Sequence, residues 1–221
     1  MRPFCRASLA SAAAGAIFAA TGAVAAAAAD GGYRATIRTI DAATASTMIG
    51  VSWRPGCPVP ISDLRRVRLT YWGFDDARHR GELIVHRDVA RSVVAVFRTM
   101  YAMRFPIRMM HRVDRFRADD NASMAADNTS AFNCRPITGS TNGFSVHSYG
   151  RAIDVDTVEN PYVKGATVLP PAGQAFTNRT NVRPGMITHG DRVWRAFTAH
   201  GFDWGGDWQS LKDYQHFEVP I

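Results

Sequence analysis

The chain has 221 residues, 46% hydrophobic and 20% charged, with a formal net charge of +7. That is length and apolar content enough for one domain with a real core. The positive charge is almost all arginine, only Lys164 and Lys212 being lysines, and it is scattered apart from Arg65-Arg66-Val67-Arg68; this excludes a basic stripe with interleaved aromatics, so no nucleic-acid partner is expected.

In chain order, residues 1–29 read as a signal peptide. Arg2 and Arg6 precede an alanine-rich apolar run, and Ala27-Ala28-Ala29 offers a small-residue cleavage site before Asp30. The other reading is an uncleaved anchor, but alanine and glycine make the run only weakly hydrophobic. Export is expected, with no stable membrane insertion after cleavage. A basic exported chain is drawn to an anionic cell envelope. Loss of the leader leaves two of the three cysteines, Cys57 and Cys134. In an oxidising compartment an even pair suggests one disulfide; two free thiols are the alternative.

Residues 30–62 form a lead segment with few signals, and 63–221 read as the main domain. Val67, Leu69 and Tyr71 alternate with polar residues and predict a strand, 81–86 predicts a second, and 75–80 is the polar turn between them. Val89, Val93, Val96, Phe97 and Met100 fall at helical spacing and predict a helix over 87–104, stopped by Phe105-Pro106. Residues 107–116 look like a strand, 117–140 like a long polar loop, and 160–184 like an irregular rim. Thr188 to His200 predicts a helix stopped by Gly201. Trp204-Gly205-Gly206-Asp207-Trp208 reads as a tight turn whose two tryptophans either line a groove or close the core. The whole predicts an α+β fold, a small antiparallel sheet with helices packed on it. His79, His86, His111, His189 and His200 are read as surface or core residues.

The chemistry concentrates in Ser145-Val146-His147-Ser148-Tyr149-Gly150-Arg151-Ala152-Ile153-Asp154-Val155-Asp156 and in Asp213-Tyr214-Gln215-His216-Phe217-Glu218. His147 and Asp154 would stand ~10.5 Å apart on a helix or ~23 Å apart on a strand, too far to share an ion at ~2 Å. The chain must therefore bend between them, and Gly150 is the residue that permits it. After the bend, Ile153 and Val155 face one side of a strand and Asp154 and Asp156 the other. His216-Phe217-Glu218-Val219 repeats the pattern. Pairing of the two strands sets His216 opposite Asp154, with His147 as third ligand. Three protein ligands leave a position for water, the catalytic arrangement of Zn2+. Asp213, three residues before His216, is placed to act as general base. Asp156 and Glu218 are candidates to orient the ligand imidazoles.

Ser-x-His-x-x-Gly-x-Ala-x-Asp followed by Asp-x-x-His-Phe resembles the zinc D-alanyl-D-alanine carboxypeptidase family, in particular the core domain shared by peptidoglycan peptidases and related phage endolysins. Asn128–Arg135, Asn160-Pro161-Tyr162 and Trp204–Trp208 extend the likeness, which covers roughly Cys57 to Ile221. The resemblance implies a hedgehog/DD-peptidase-like fold, a zinc metallopeptidase, and the peptidoglycan stem peptide as substrate, cleaved at its terminal D-alanine or, alternatively, internally. It also implies that Arg135 contacts substrate. A guanidinium suits a carboxylate or an oxyanion. Ser145, Trp204 and Trp208 are further substrate-binding candidates. A monomer is expected. The rival class is a non-catalytic cell-wall binding module that keeps the metal.

Overall fold

The computed structural model describes Met1 and residues 32–137 and 142–221. The expected signal peptide therefore lies, but for Met1, outside the described residues. Among the described residues no helix is long and apolar enough to cross a membrane.

The fold is mixed α and β, built of small sheets. The expected lead segment contributes two elements, β1 (Ala35–Thr39) and α1 (Ala42–Met48), the latter capped by Asp41, whose side chain accepts from the Thr44 amide. β2 (Leu64–Trp72) and β3 (Arg78–His86) pair antiparallel over their whole length, from Leu64 opposite His86 to Trp72 opposite Arg78, and β1 adds to the outer edge of β2. β3 is longer than its apolar run because polar Arg78, His79 and Arg80 still complete the ladder. α2 (Ala90–Ala102) lays Val93, Val96, Phe97 and Met100 on this sheet. It starts later than its apolar periodicity predicts and stops before Arg104, which turns left-handed at φ 55°.

Residues 107–116 do not form one strand. Met109–Met110 (β4) pairs in parallel with Asn128–Thr129 (β5), and Val113–Phe116 winds into a 3₁₀ turn. The expected polar loop is likewise broken by α3 (Asp120–Ala125), capped by Asp119, which accepts from the Ala122 amide at 3.0 Å. β6 (Ala152–Asp154) follows. The rim contains a hairpin, β7 (Tyr162–Lys164) and β8 (Thr167–Leu169). α4 (Arg192–Thr198) is capped by Asp191 and ends ahead of Gly201, at φ 82°. β9 (Asp203–Trp204), β10 (Lys212–Asp213) and β11 (His216–Glu218) finish the chain, β10 joining β7 and β11 lying between β6 and β9.

The main core runs from the β1–β3 sheet through α2 and α4 to the β6–β11–β9 sheet. Phe197 of α4 meets Phe97 of α2 edge-on at 6.3 Å and stacks on Phe217 of β11 at 3.8 Å. β11 is thus fastened to the core by Phe217, while His216 and Glu218 project from its other face. A second cluster of Met48, Val59, Leu64, Ile84, Phe132 and Cys134 packs beneath a disulfide between Cys57 and Cys134, with Cα atoms 6.0 Å apart. The pairing expected from the cysteine count is present.

Candidate metal centre

The first motif folds as its glycine requires. Residues 146–149 make a 3₁₀ turn opened by Ser145, whose Oγ accepts the His147 amide at 3.3 Å. Gly150 then turns left-handed at φ 68°. A Cβ there would stand 2.6 Å from the His86 backbone nitrogen, which donates to the Gly150 carbonyl at 2.7 Å. Ser148 pins the turn to the neighbouring segment, accepting from the Arg135 amide at 2.9 Å and donating to the Arg135 carbonyl.

After the turn, β6 pairs antiparallel with β11 and places His216 directly opposite Asp154. His147 Nε2 lies 3.1 Å from Asp154 Oδ2, and His216 Nδ1 lies 3.1 Å from Asp154 Oδ1. All three residues are buried, and their ligand atoms lie within 4.8 Å of one another. Each ring is held by its other nitrogen. His147 Nδ1 donates to the Ala131 carbonyl at 2.6 Å, and His216 Nε2 donates to Glu218 Oε2 at 2.8 Å. When both rings are neutral, these bonds turn the lone pairs of Nε2 and Nδ1 toward each other, the tautomer choice a metal ligand needs.

The electrostatics ask for a cation. Burial lowers the pKa of His216, but the carboxylates of Asp154 and Glu218 outweigh it and push the ring up to about 10. Burial likewise works against the Asp154 carboxylate, yet His147 and His216 hold it well below the ordinary range. Two imidazole lone pairs and a carboxylate converging in a buried pocket fit a divalent ion with nitrogen and oxygen ligands.

Asp213 lies outside β11, three residues before His216, and ends β10, where it pairs with Tyr162. Its Oδ1 is buried without a hydrogen-bond partner. Burial, resisted by His216 and reinforced by Asp154, pushes its pKa up to about 6. Gly205 makes room for it: a Cβ on Gly205 would fall 2.6 Å from the Asp213 carbonyl and 2.9 Å from its Cβ.

A cavity of about 260 Å³ opens over the three ligands, and Arg135, Ser145, Trp208, Asp213 and Glu218 all line it. Two sequence candidates lie elsewhere. Trp204 does not line the cavity. Its ring is in the core near Phe217, and its Nε1 donates to the Tyr214 carbonyl at 2.8 Å, bracing the Asp-x-x-His segment from behind. Asp156 does not orient an imidazole. Its backbone leaves the strand at φ 42°, and its Oδ1 accepts from the Arg108 amide at 2.9 Å, close to Asp127 and Glu159. Alternation fails there because β6 ends at Asp154. Ala131, which orients His147 through a carbonyl and falls within the Asn128–Arg135 likeness, and Asp120, which lines the cavity beside Arg135, are not singled out by the sequence.

No solved structure matches the chain with significance. Residues 138–219, the span that holds His147, Asp154, Asp213 and His216, match a family model described as D-alanyl-D-alanine carboxypeptidase, a match that supports peptidase activity. It is over these residues that the chain's resemblance to the D-alanyl-D-alanine carboxypeptidase family is shown.

Proposed function

We propose that the protein is an exported zinc metallopeptidase that hydrolyses peptide bonds of peptidoglycan stem peptides, on a hedgehog/DD-peptidase-like fold. The observation that carries this reading is the convergence of His147, Asp154 and His216 beneath a cavity that also contains a buried carboxylate, Asp213, with no ligand role. The family match over the same residues supports it, and the disulfide supports export.

His147 Nε2, Asp154 and His216 Nδ1 would hold the zinc, which when bound would supply a Lewis acid for a peptide carbonyl and for water. Asp213, with a pKa near 6, takes the water's proton and returns it to the departing amine. Glu218 keeps the His216 ring oriented through Nε2. The donors of Arg135 steady the substrate or the oxygen that becomes negative in the tetrahedral state. Trp208, its ring centroid 5.3 Å from that of His216, walls the cavity and limits water.

The description of the matched family favours removal of a terminal D-alanine. One observation favours an internal bond: Arg135 is already paired with Asp120. Digestion of purified peptidoglycan by the zinc-loaded protein, followed by mass analysis, tests the reading. New fragments differing by peptide hydrolysis are expected. A digest identical to the untreated wall contradicts it.

A further inference from the structure

Arg135 Nη2 lies 3.0 Å from Asp120 Oδ2, and both residues line the cavity over the candidate metal centre, with side chains 20% and 27% exposed. The other terminal nitrogen, Nη1, donates to the Pro136 carbonyl at 3.3 Å. Asp120 is the first residue of α3, whose start is fixed by the Asp119 cap. Met124, one helical turn on, lines the same cavity, so α3 forms its wall and the Asp120 carboxylate projects from a set backbone position.

Resting on the peptidase reading, we propose that Asp120 is a specificity-determining residue. By neutralising Arg135 it makes the cavity accept a neutral peptide group, a chain that continues past the scissile bond, in place of a free terminal carboxylate. A lone guanidinium fork binds a carboxylate through two parallel bonds. Here one arm already holds a carboxylate. A second one approaching Arg135 meets the charge of Asp120 at close range. A peptide carbonyl carries no formal charge and meets no such repulsion from Asp120.

The test uses two peptides identical except at the end, one a free acid and one a carboxamide, with the zinc-loaded full chain. Wild-type protein is expected to cleave the carboxamide at least as efficiently as the acid. Asp120→Asn should shift the ratio of kcat/KM toward the acid by roughly tenfold, mainly through KM, the scale of losing one close charge contact. Asp120→Glu, which keeps the pair, should stay near wild type. Melting curves confirm that the variants fold. Calorimetric binding of both peptides to Asp213→Asn protein, with and without Asp120→Asn, reads the same preference without turnover. A wild-type preference for the acid of tenfold or more, or a ratio that Asp120→Asn leaves unchanged, overturns the role of Asp120 and leaves the peptidase standing. No cleavage and no binding of either peptide overturns the peptidase reading and this inference with it.

Discussion

His147 Nε2 and His216 Nδ1 stand 3.1 Å apart, although each ring has its proton committed on the opposite side, to Ala131 and to Glu218. Two lone pairs at that distance repel, and a positive charge relieves them, either the second proton that a pKa of about 10 puts on His216 or a metal ion in its place. Asp154, reaching both nitrogens at 3.1 Å, completes a site for one cation.

Ligand and base are separable by substitution. Asp154→Asn should weaken zinc binding and activity together, because the carboxylate touches both ligand nitrogens. Asp213→Asn should keep the zinc and slow turnover by roughly 10²–10⁴-fold, the usual loss for an acid–base group. Metal analysis beside steady-state kinetics checks both. Asp213→Asn protein with full activity moves the base elsewhere, and the same protein without zinc makes Asp213 a ligand.

Glu218→Gln tests the orientation of His216. The amide keeps the size but is a weaker partner for Nε2–H, so zinc affinity should fall by about 10–100-fold. Competition with a chelator of known affinity measures it. Unchanged affinity shows that β11 alone fixes the ring.

Stability should depend on pH through Glu159. Burial and the neighbouring Asp127 raise its pKa from 4.5 to about 7. The folded chain therefore holds this proton more tightly than the unfolded chain. The stabilisation is complete below pH ~4.5 and is lost as pH rises toward ~7. Glu159→Gln should flatten the fall in melting temperature across that window. An unaltered slope assigns the fall to other groups.

The disulfide joins residues 77 apart, Cys57 and Cys134. Closing a loop of that length restricts the unfolded chain by about 4 kcal/mol in the chain-entropy view. Cys57→Ser with Cys134→Ser should lower unfolding free energy by about 2–4 kcal/mol in urea titrations. A loss below 0.5 kcal/mol, roughly the scatter of surface changes, shows that the bridge adds little.

The centre was legible in the sequence where one local rule sufficed. A glycine between His147 and Asp154 demanded a bend, and alternation in Asp154 and His216 strands demanded that their side chains share a face. The structure has both, at φ 68° for Gly150 and in the pairing of His216 with Asp154. Asp156 was misplaced because alternation assumes that the strand continues, and here it ends at Asp154. The Trp-Gly-Gly-Asp-Trp stretch was half read. Its glycines matter for closeness, since Gly205 lets Asp213 approach and Gly206 lies under the Trp204 ring. Ala131 and Asp120 act through long-range packing that periodicity does not encode. β1 was missed because its residues are mostly exposed and it is held by pairing with β2.

The central claim is that this chain holds one catalytic zinc. Elemental analysis of purified protein, dialysed against zinc and then against metal-free buffer, tests it most directly, with His147→Ala as the control. About one zinc per chain in the wild type and almost none in His147→Ala is the predicted result. Wild-type protein that retains no zinc, or His147→Ala protein that retains as much as wild type, contradicts it.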